Sequence, residues 1–152
     1  MYTKMEQEIH NTHKTNPLSI DLYVDGAYRD KRASWAFIAM DCDTQIYSNC
    51  GKLTEAQSLH HNISGEVSAV IHALQWAVKE GYKTANITYD YEGLKLWITG
   101  EWKAKNKLTQ RYVELINNFD IIVSWHWVKG HTGNVGNESV DRIATMVLNS
   151  ET

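Results

Sequence analysis

The stretch SIDLYVDGAY, Ser19–Tyr28, decides the fold. Ile20, Leu22 and Val24 fall on one side of an extended chain, and Asp21, Tyr23 and Asp25 on the other. This period-two alternation predicts a β-strand with one apolar face. Two more β-rich runs follow, near 34–41 and 45–51, joined by a short polar turn, so an antiparallel meander is expected. Next comes SGEVSAVIHALQWAVKEG, where Val67, Val70, Ile71, Leu74 and Val78 recur at helical spacing and Gly81 stops the run. ANITYD, 85–90, reads as a short strand. Helical stretches follow over about 91–99 and 107–118. IIVSWHWV, 121–128, is another strand, and the last helix, 137–149, carries Val140, Ile143, Ala144 and Val147 on one face. The order is βββαβααβα. Strands joined through helices pair in parallel. The expected fold is α/β, a mixed five-stranded sheet flanked by helices.

The chain has 152 residues, the size of one domain, with 43% hydrophobic and 22% charged residues. That composition supports a packed core and argues against global disorder. Residues 1–17 are polar and carry the only proline, Pro17, and read as an N-terminal extension. Residues 18–149 form the expected domain and 150–152 a short tail. The net charge of -3 gives no global attraction to nucleic acid. The segment EWKAKNKLTQRY, 101–112, is locally basic, with Lys103, Lys105, Lys107 and Arg111 against Glu101. No apolar run is long enough to span a membrane, and the N-terminus lacks a signal-peptide core. A hairpin centred on Asp43 and Thr44 would set residue 41 opposite 46 and 37 opposite 50. Cys42 and Cys50 are then not cross-strand partners, which fits a reducing cytoplasm.

Four acids stand where the fold gathers ligands. Asp25 lies at the end of the first strand and Asp90 at the end of the fourth. On parallel neighbours, both reach the carboxyl edge of the sheet. Glu66 and Asp141 are read in the first turns of their helices, each flanking the apolar stripe. Singly, each acid has a structural explanation: a turn at Asp25-Gly26, helix N-termini for Glu66 and Asp141. Together they make a cluster of repelling carboxylates, which normally holds a divalent cation. Oxygen-only ligands favour Mg²⁺ or Mn²⁺ over zinc. Two such ions about 4 Å apart clamp the attacking and leaving oxygens of a phosphodiester displacement. The loop WVKGHTGNVGNESVD, 127–141, adds His131 among three glycines, next to Asp141.

The blocks YVDGA (23–27), ISGEVSAVIHAL (63–74), TYD (88–90) and WVKGHTGNVGNESVDRIA (127–144) resemble the four motifs of type 1 ribonuclease H, across about 18–149. The resemblance implies a ribonuclease H-like fold and a stand-alone enzyme cutting the RNA strand of RNA–DNA hybrids, leaving 3′-hydroxyl and 5′-phosphate ends. It implies that Asp25, Glu66, Asp90 and Asp141 hold two Mg²⁺ ions, with Mn²⁺ as the alternative. His131 matches the loop histidine that relays protons or loosens the product. Gly26, Asn62 and Glu66 match substrate-contact positions, Glu66 at a 2′-hydroxyl. Lys103, Lys105 and Lys107 are placed to hold the DNA strand. A monomer in the cytoplasm, without a membrane partner, is expected.

The chain also departs from its relatives. DGAYRDKRASW replaces their Asn-Pro-Gly turn, and Tyr91 follows Asp90 where a small polar residue is common. His61 stands at a position that in relatives often meets a DNA phosphate. The helix after Asp90 is about a turn shorter, so weaker substrate binding is expected. Alternatives are a transposase- or resolvase-type nuclease of the same fold, a non-catalytic nucleic-acid-binding module, and a domain that works beside a polymerase. The glycine-histidine loop argues against the first. Four intact acids argue against the second.

Overall fold

The computed structural model describes residues 18–150, so the expected extension at 1–17 and residues 151 and 152 lie outside the described residues. The strands are β1 (Ser19–Arg29), β2 (Arg32–Asp41), β3 (Thr44–Lys52), β4 (Thr84–Tyr89) and β5 (Ile122–Trp127). The helices are α1 (Asn62–Lys79), α2 (Gly93–Thr99), α3 (Lys107–Asn118) and α4 (Val135–Leu148). A 3-10 turn, Ala56–Ser58, precedes α1. The five strands form one sheet in the order β3-β2-β1-β4-β5. β1 and β2, and β2 and β3, pair antiparallel, whereas β1–β4 and β4–β5 pair parallel. This is the mixed sheet and element order that the sequence predicts.

The alternation in β1 separates two cores. Ile20, Leu22 and Val24 are buried with Val67, Val70 and Leu74 of α1, Ile87 of β4, and Leu94, Tyr112 and Ile116 of α2 and α3. On the other face a smaller cluster joins Ala36 and Ile38 of β2 to Val140 and Ala144 of α4. α4 packs on β1, β2 and β3. Side-chain hydrogen bonds fasten the layers: Ser34 Oγ donates to Ala144 O (2.6 Å), and the buried Tyr112 hydroxyl donates to Leu94 O (2.7 Å). No helix among the described residues is long and apolar enough to cross a membrane.

Three local readings are corrected. The β2–β3 hairpin turns at Cys42 and Asp43, with Asp41 opposite Thr44, and a bulge lies between Ala39 and Met40. Cys42 takes the positive φ (54°) that this tight turn demands. Phe37 therefore faces Asn49, and Cys50 faces Ala36; no disulfide joins Cys42 to Cys50. α1 begins at Asn62 and α4 at Val135, each two residues ahead of the sequence reading. In α4 the reason is a cap: the Asn134 side chain accepts from the Asn137 backbone N–H (2.8 Å), drawing Val135 and Gly136 into the helix. Glu66 and Asp141 consequently sit in second turns, where an N-terminal dipole no longer explains them.

α1 lies on the sheet through a contact only glycine permits. A Cβ on Gly65 would stand 2.0 Å from Ser34 O, and one on Gly26 2.3 Å from Glu66 N. Both obstacles are backbone, so neither can swing aside. Gly65→Ala should therefore cost roughly 3 kcal/mol in denaturant unfolding. Gly100→Ala is the control, because its Cβ meets nothing and only the φ of 84° opposes it, at about 1 kcal/mol. Equal losses for the two variants would show that the α1–sheet contact is not the limiting one.

Candidate active site

The β1–β4 pairing ends at Tyr23 and Thr88, while β1 continues beside β2, with Asp25 opposite Ala36. Two residues beyond that last pair, Asp25 and Asp90 come level at the carboxyl end of both strands. The strand order reverses between β1 and β4, which makes this the switch point where α/β sheets take their ligands. α1 supplies Glu66 from one face of the sheet and α4 supplies Asp141 from the other.

Asp25, Glu66 and Asp90 each offer a carboxylate oxygen, and these oxygens lie within 4.8 Å of one another. Asp141 stands outside that set of three, but its carboxyl, like that of Glu66, is near enough to Asp25 to act on its protonation. Asp25 and Glu66 are each 3% exposed. The Gly26 N–H donates to Asp25 Oδ1 (2.9 Å), while Asp25 Oδ2 and Glu66 Oε2 are buried without a hydrogen-bond partner. Burial is the main force raising all three acids. It lifts Asp25 to about 7, with the Glu66 carboxyl opposing, and the charge of Asp90 and the Asp141 carboxyl adding to the rise. Burial and then the charge of Asp25 drive Glu66 well above the carboxylate range. Burial and the Asp141 charge raise Asp90, and the nearby His131 lowers it.

Orphaned buried oxygens, an all-oxygen donor set and carboxyl pKa values raised by burial and neighbouring charge fit a hard divalent cation, which relieves the repulsion and fills the missing coordination. The donor set does not fit zinc's preference for sulfur and nitrogen.

The other candidate residues ring this centre. His131 is exposed, with a φ of 60°, on the loop after β5. Its neighbour Gly130 passes so close to Asp90 that a Cβ there would lie 3.2 Å from Asp90 Oδ2. Gly26 faces the backbone of α1, and Asn62 is exposed at the first position of that helix. His61, just before it, has a φ of 59° and packs its ring on Tyr28, centroids 4.5 Å apart. Lys103, Lys105 and Lys107 are exposed around α2 and α3. Lys103 and Lys105 line a cleft of about 390 Å³ with Trp97, Trp102, Asn106 and Thr109. Trp97 touches Trp102 and Tyr112 edge-on, so the tryptophans both anchor the segment and wall the cleft.

Two site residues escape the sequence reading. Asn137 is 3% exposed, and its side-chain amide is near enough to Asp90 to pull that carboxyl's pKa down. One helical turn before Asp141, it shares that residue's face, a signal present in the sequence once the helix start is right. Trp127 Nε1 donates to the Asp90 carbonyl oxygen (2.9 Å). That contact depends on the β4–β5 register, which sets Trp127 opposite Tyr89.

The burial and crowding of these acids give a pH test. Asp25 has a folded pKa of about 7 against an ordinary 3.8. Between those values the folded protein holds more protons than the unfolded chain, so stability falls as pH rises through that window. In EDTA the melting temperature should climb as pH is lowered from about 8 to about 5.5. Asp25→Asn should melt above wild type at the upper end and lose that advantage at the lower. Each kcal/mol relieved is worth roughly 2–4 °C in a chain of this size. Millimolar Mg²⁺ should raise wild type more than Asp25→Asn by mass action. An Asn variant that melts below wild type at about pH 8 in EDTA would show that the carboxylates do not strain the fold.

The RNase H family profile matches residues 17–149. A ribonuclease H of Orientia tsutsugamushi is 32% identical over 148 residues, covering 86% of this chain and 83% of that protein. The crystal structure of RNase H1 from the archaeon Halobacterium salinarum superposes with a TM-score of 0.71 at 23% identity, covering 86% of this chain and 98% of that one. The LC11-RNase H1 structure, solved in complex with an RNA/DNA hybrid, gives a TM-score of 0.66 at 15% identity, over 85% of this chain and 99% of that one. With its fold matched at the level of structure and its sequence matched from residue 17 to 149, the chain belongs to the RNase H family.

Proposed function

We propose that the protein is an endoribonuclease that hydrolyses the RNA strand of RNA–DNA hybrids, leaving 3′-hydroxyl and 5′-phosphate ends. The observation that carries the reading is the meeting of three carboxylates within 4.8 Å at the sheet's switch point, in a chain of the RNase H family. The cofactors are two Mg²⁺ ions, with Mn²⁺ as the alternative, held by Asp25, Glu66, Asp90 and Asp141. Bound there, they supply Lewis-acid polarisation of the phosphate and a water acidic enough to attack near neutral pH.

The residues divide the remaining tasks. The buried pair Asp25 and Glu66 fixes the centre, and Asp90 and Asp141 close it on the more open side. Water adds to phosphorus and gives up a proton, the bond to the 3′-oxygen breaks, and a proton must reach that oxygen in its place. His131, exposed beside Asp90, carries that proton or draws the product away. Glu66, in the second turn of α1, reads a 2′-hydroxyl, the group that separates RNA from DNA, and Asn62, one turn earlier and exposed, contacts the substrate beside it. Gly26, whose Cβ position is filled by α1, meets the hybrid through its backbone. Lys103, Lys105 and Lys107 hold the DNA strand's phosphates, and the tryptophan-walled cleft lies under its sugars. The enzyme works as a monomer in the cytoplasm.

Labelled hybrid, RNA duplex, DNA duplex and single strands, each with Mg²⁺ or EDTA, test this directly. Only the RNA strand of the hybrid should be cut, and only with the cation. Asp90→Asn should abolish turnover yet retain hybrid binding. His131→Ala should slow turnover by about 10²-fold or less, because water substitutes in proton transfer. Cutting of DNA duplex at an equal rate, or full activity in EDTA, ends the reading.

The basic segment has a separate test. Changing Lys103, Lys105 and Lys107 to Gln should weaken hybrid binding whatever its sequence. The slope of log affinity against log salt should fall by roughly one for each phosphate that is no longer neutralised. An unchanged slope would assign these lysines to an ordinary solvated face.

A further inference from the structure

Asp90 differs from its partners in how it is held. Asp25 lies within β1, paired with β2, and Glu66 within α1. Asp90 lies one residue past the end of β4, outside any strand or helix. Its backbone has left the sheet's hydrogen bonding at the point where its carboxylate must stay in register with two buried acids. The segment from β5 into α4 makes up for this. Val128 N–H donates to Tyr89 O (2.9 Å), and Trp127 Nε1 donates to Asp90 O (2.9 Å). Gly130 then passes against the Asp90 side chain.

The buried Asn137 completes the arrangement. Its backbone N–H is bound by the Asn134 cap (2.8 Å), and its Oδ1 is buried with no partner. A buried unpaired acceptor costs stability, and turning the amide over would aim that oxygen at the Asp90 carboxylate instead. The amide thus leaves its oxygen unpaired and turns its NH₂ to Asp90, whose carboxyl pKa it lowers. Trp127 is 49% exposed, so its indole contributes little to the core and its N–H is spent on one carbonyl.

We infer that Trp127 and Asn137 are positioning residues that grip Asp90 at its backbone and its carboxylate, and so set the site's affinity for a divalent cation. The inference rests on the functional reading above and deepens it. It also ties the histidine loop to the cation site, because the two residues bracket that loop.

The test uses the full chain and needs no substrate. Mg²⁺ and Mn²⁺ affinities are measured by calorimetry and by the cation-induced rise in melting temperature, for wild type, Trp127→Phe, Asn137→Ala and Asn137→Ser. Removing a group that orients a metal ligand typically costs 10–100-fold in affinity. Trp127→Phe should fall near the low end, with a melting temperature in EDTA close to wild type. Asn137→Ala should lose more, and Asn137→Ser, which restores a short donor, should recover part of it. In an Asp90→Asn background neither site should lower cation affinity further, because both act through Asp90. With hybrid as substrate, kcat should fall and KM should hold.

Unchanged cation affinity in Trp127→Phe and Asn137→Ala overturns the inference. So does the same fold-loss in the Asp90→Asn background, or a wild type with no Asp90-dependent cation binding. A wild type that binds Mg²⁺ through Asp90 yet leaves hybrids uncut overturns the functional reading instead, and the grip on Asp90 stands.

Discussion

Gly26 and Gly65 bring the backbone of β1 against α1, closer than any side chain allows. The next residue on α1 is Glu66, and the residue before Gly26 is Asp25. The approach of the two glycines therefore sets the approach of the two acids. It also sets the height of α1 above β2, where Ser34 O lies under Gly65 and Ser34 Oγ reaches across to α4. One steric fact links the main core, the second core and the innermost carboxylate pair. A helix held farther from the sheet would still bury Val67, Val70 and Leu74, but it would carry Glu66 away from Asp25.

That closeness works against the fold. Two carboxyls at 3% exposure, each with an orphaned oxygen, lose hydration and gain repulsion. The surrounding structure must over-determine them, and it does so with elements whose stability comes from elsewhere. β1 is central in the sheet, α1 is the longest helix, and the apolar cluster beneath them spans most elements. Asp90 and Asp141 are placed differently. They come from the end of a strand and from α4, which rests on the smaller cluster of Ala36, Ile38, Val140 and Ala144. The rigid half of the site holds the pair that is hardest to keep together, and the more exposed half faces outward.

The sequence made the fold legible where one periodicity dominated. The alternation of β1, the Val67–Val78 stripe and the Gly81 stop are strong local signals, and the element order follows from them. Helix starts were less legible. Gly136 beside Val135 reads as loop, and only the Asn134 cap reveals a helix already under way. The β2–β3 register differs by two residues at the turn and by one beyond the Ala39–Met40 bulge, because Cys42 adopts a positive φ that nothing in its chemistry advertises. At the site, the four acids stood out because carboxylates at strand and helix ends have few uses together. Asn137 and Trp127 did not, because an asparagine on a helix and a tryptophan on an edge strand have many. Their role exists only once Asp90 is placed between them.

The loop carrying His131 shows how fixed and free parts are combined. At its start, Val128 and Trp127 are bonded to Tyr89 and Asp90; at its end, Asn134 caps α4 and Asn137 sits beneath Asp90. Between these posts run Lys129 to Gly133, closed by a hydrogen bond from Thr132 Oγ1 to Lys129 O. The histidine is mid-span, exposed, with both ends of its loop referred to the same aspartate. In the proton-carrying role proposed for His131, the ring has to approach the reacting group and then withdraw, and a long free loop would lose the geometry between cycles. A short span between two anchors keeps the histidine within reach of one carboxylate while leaving its own backbone unpaired with the sheet. The glycines on either side of His131 fit this arrangement: Gly130 for clearance past Asp90, and Gly133 for a turn at φ 93°.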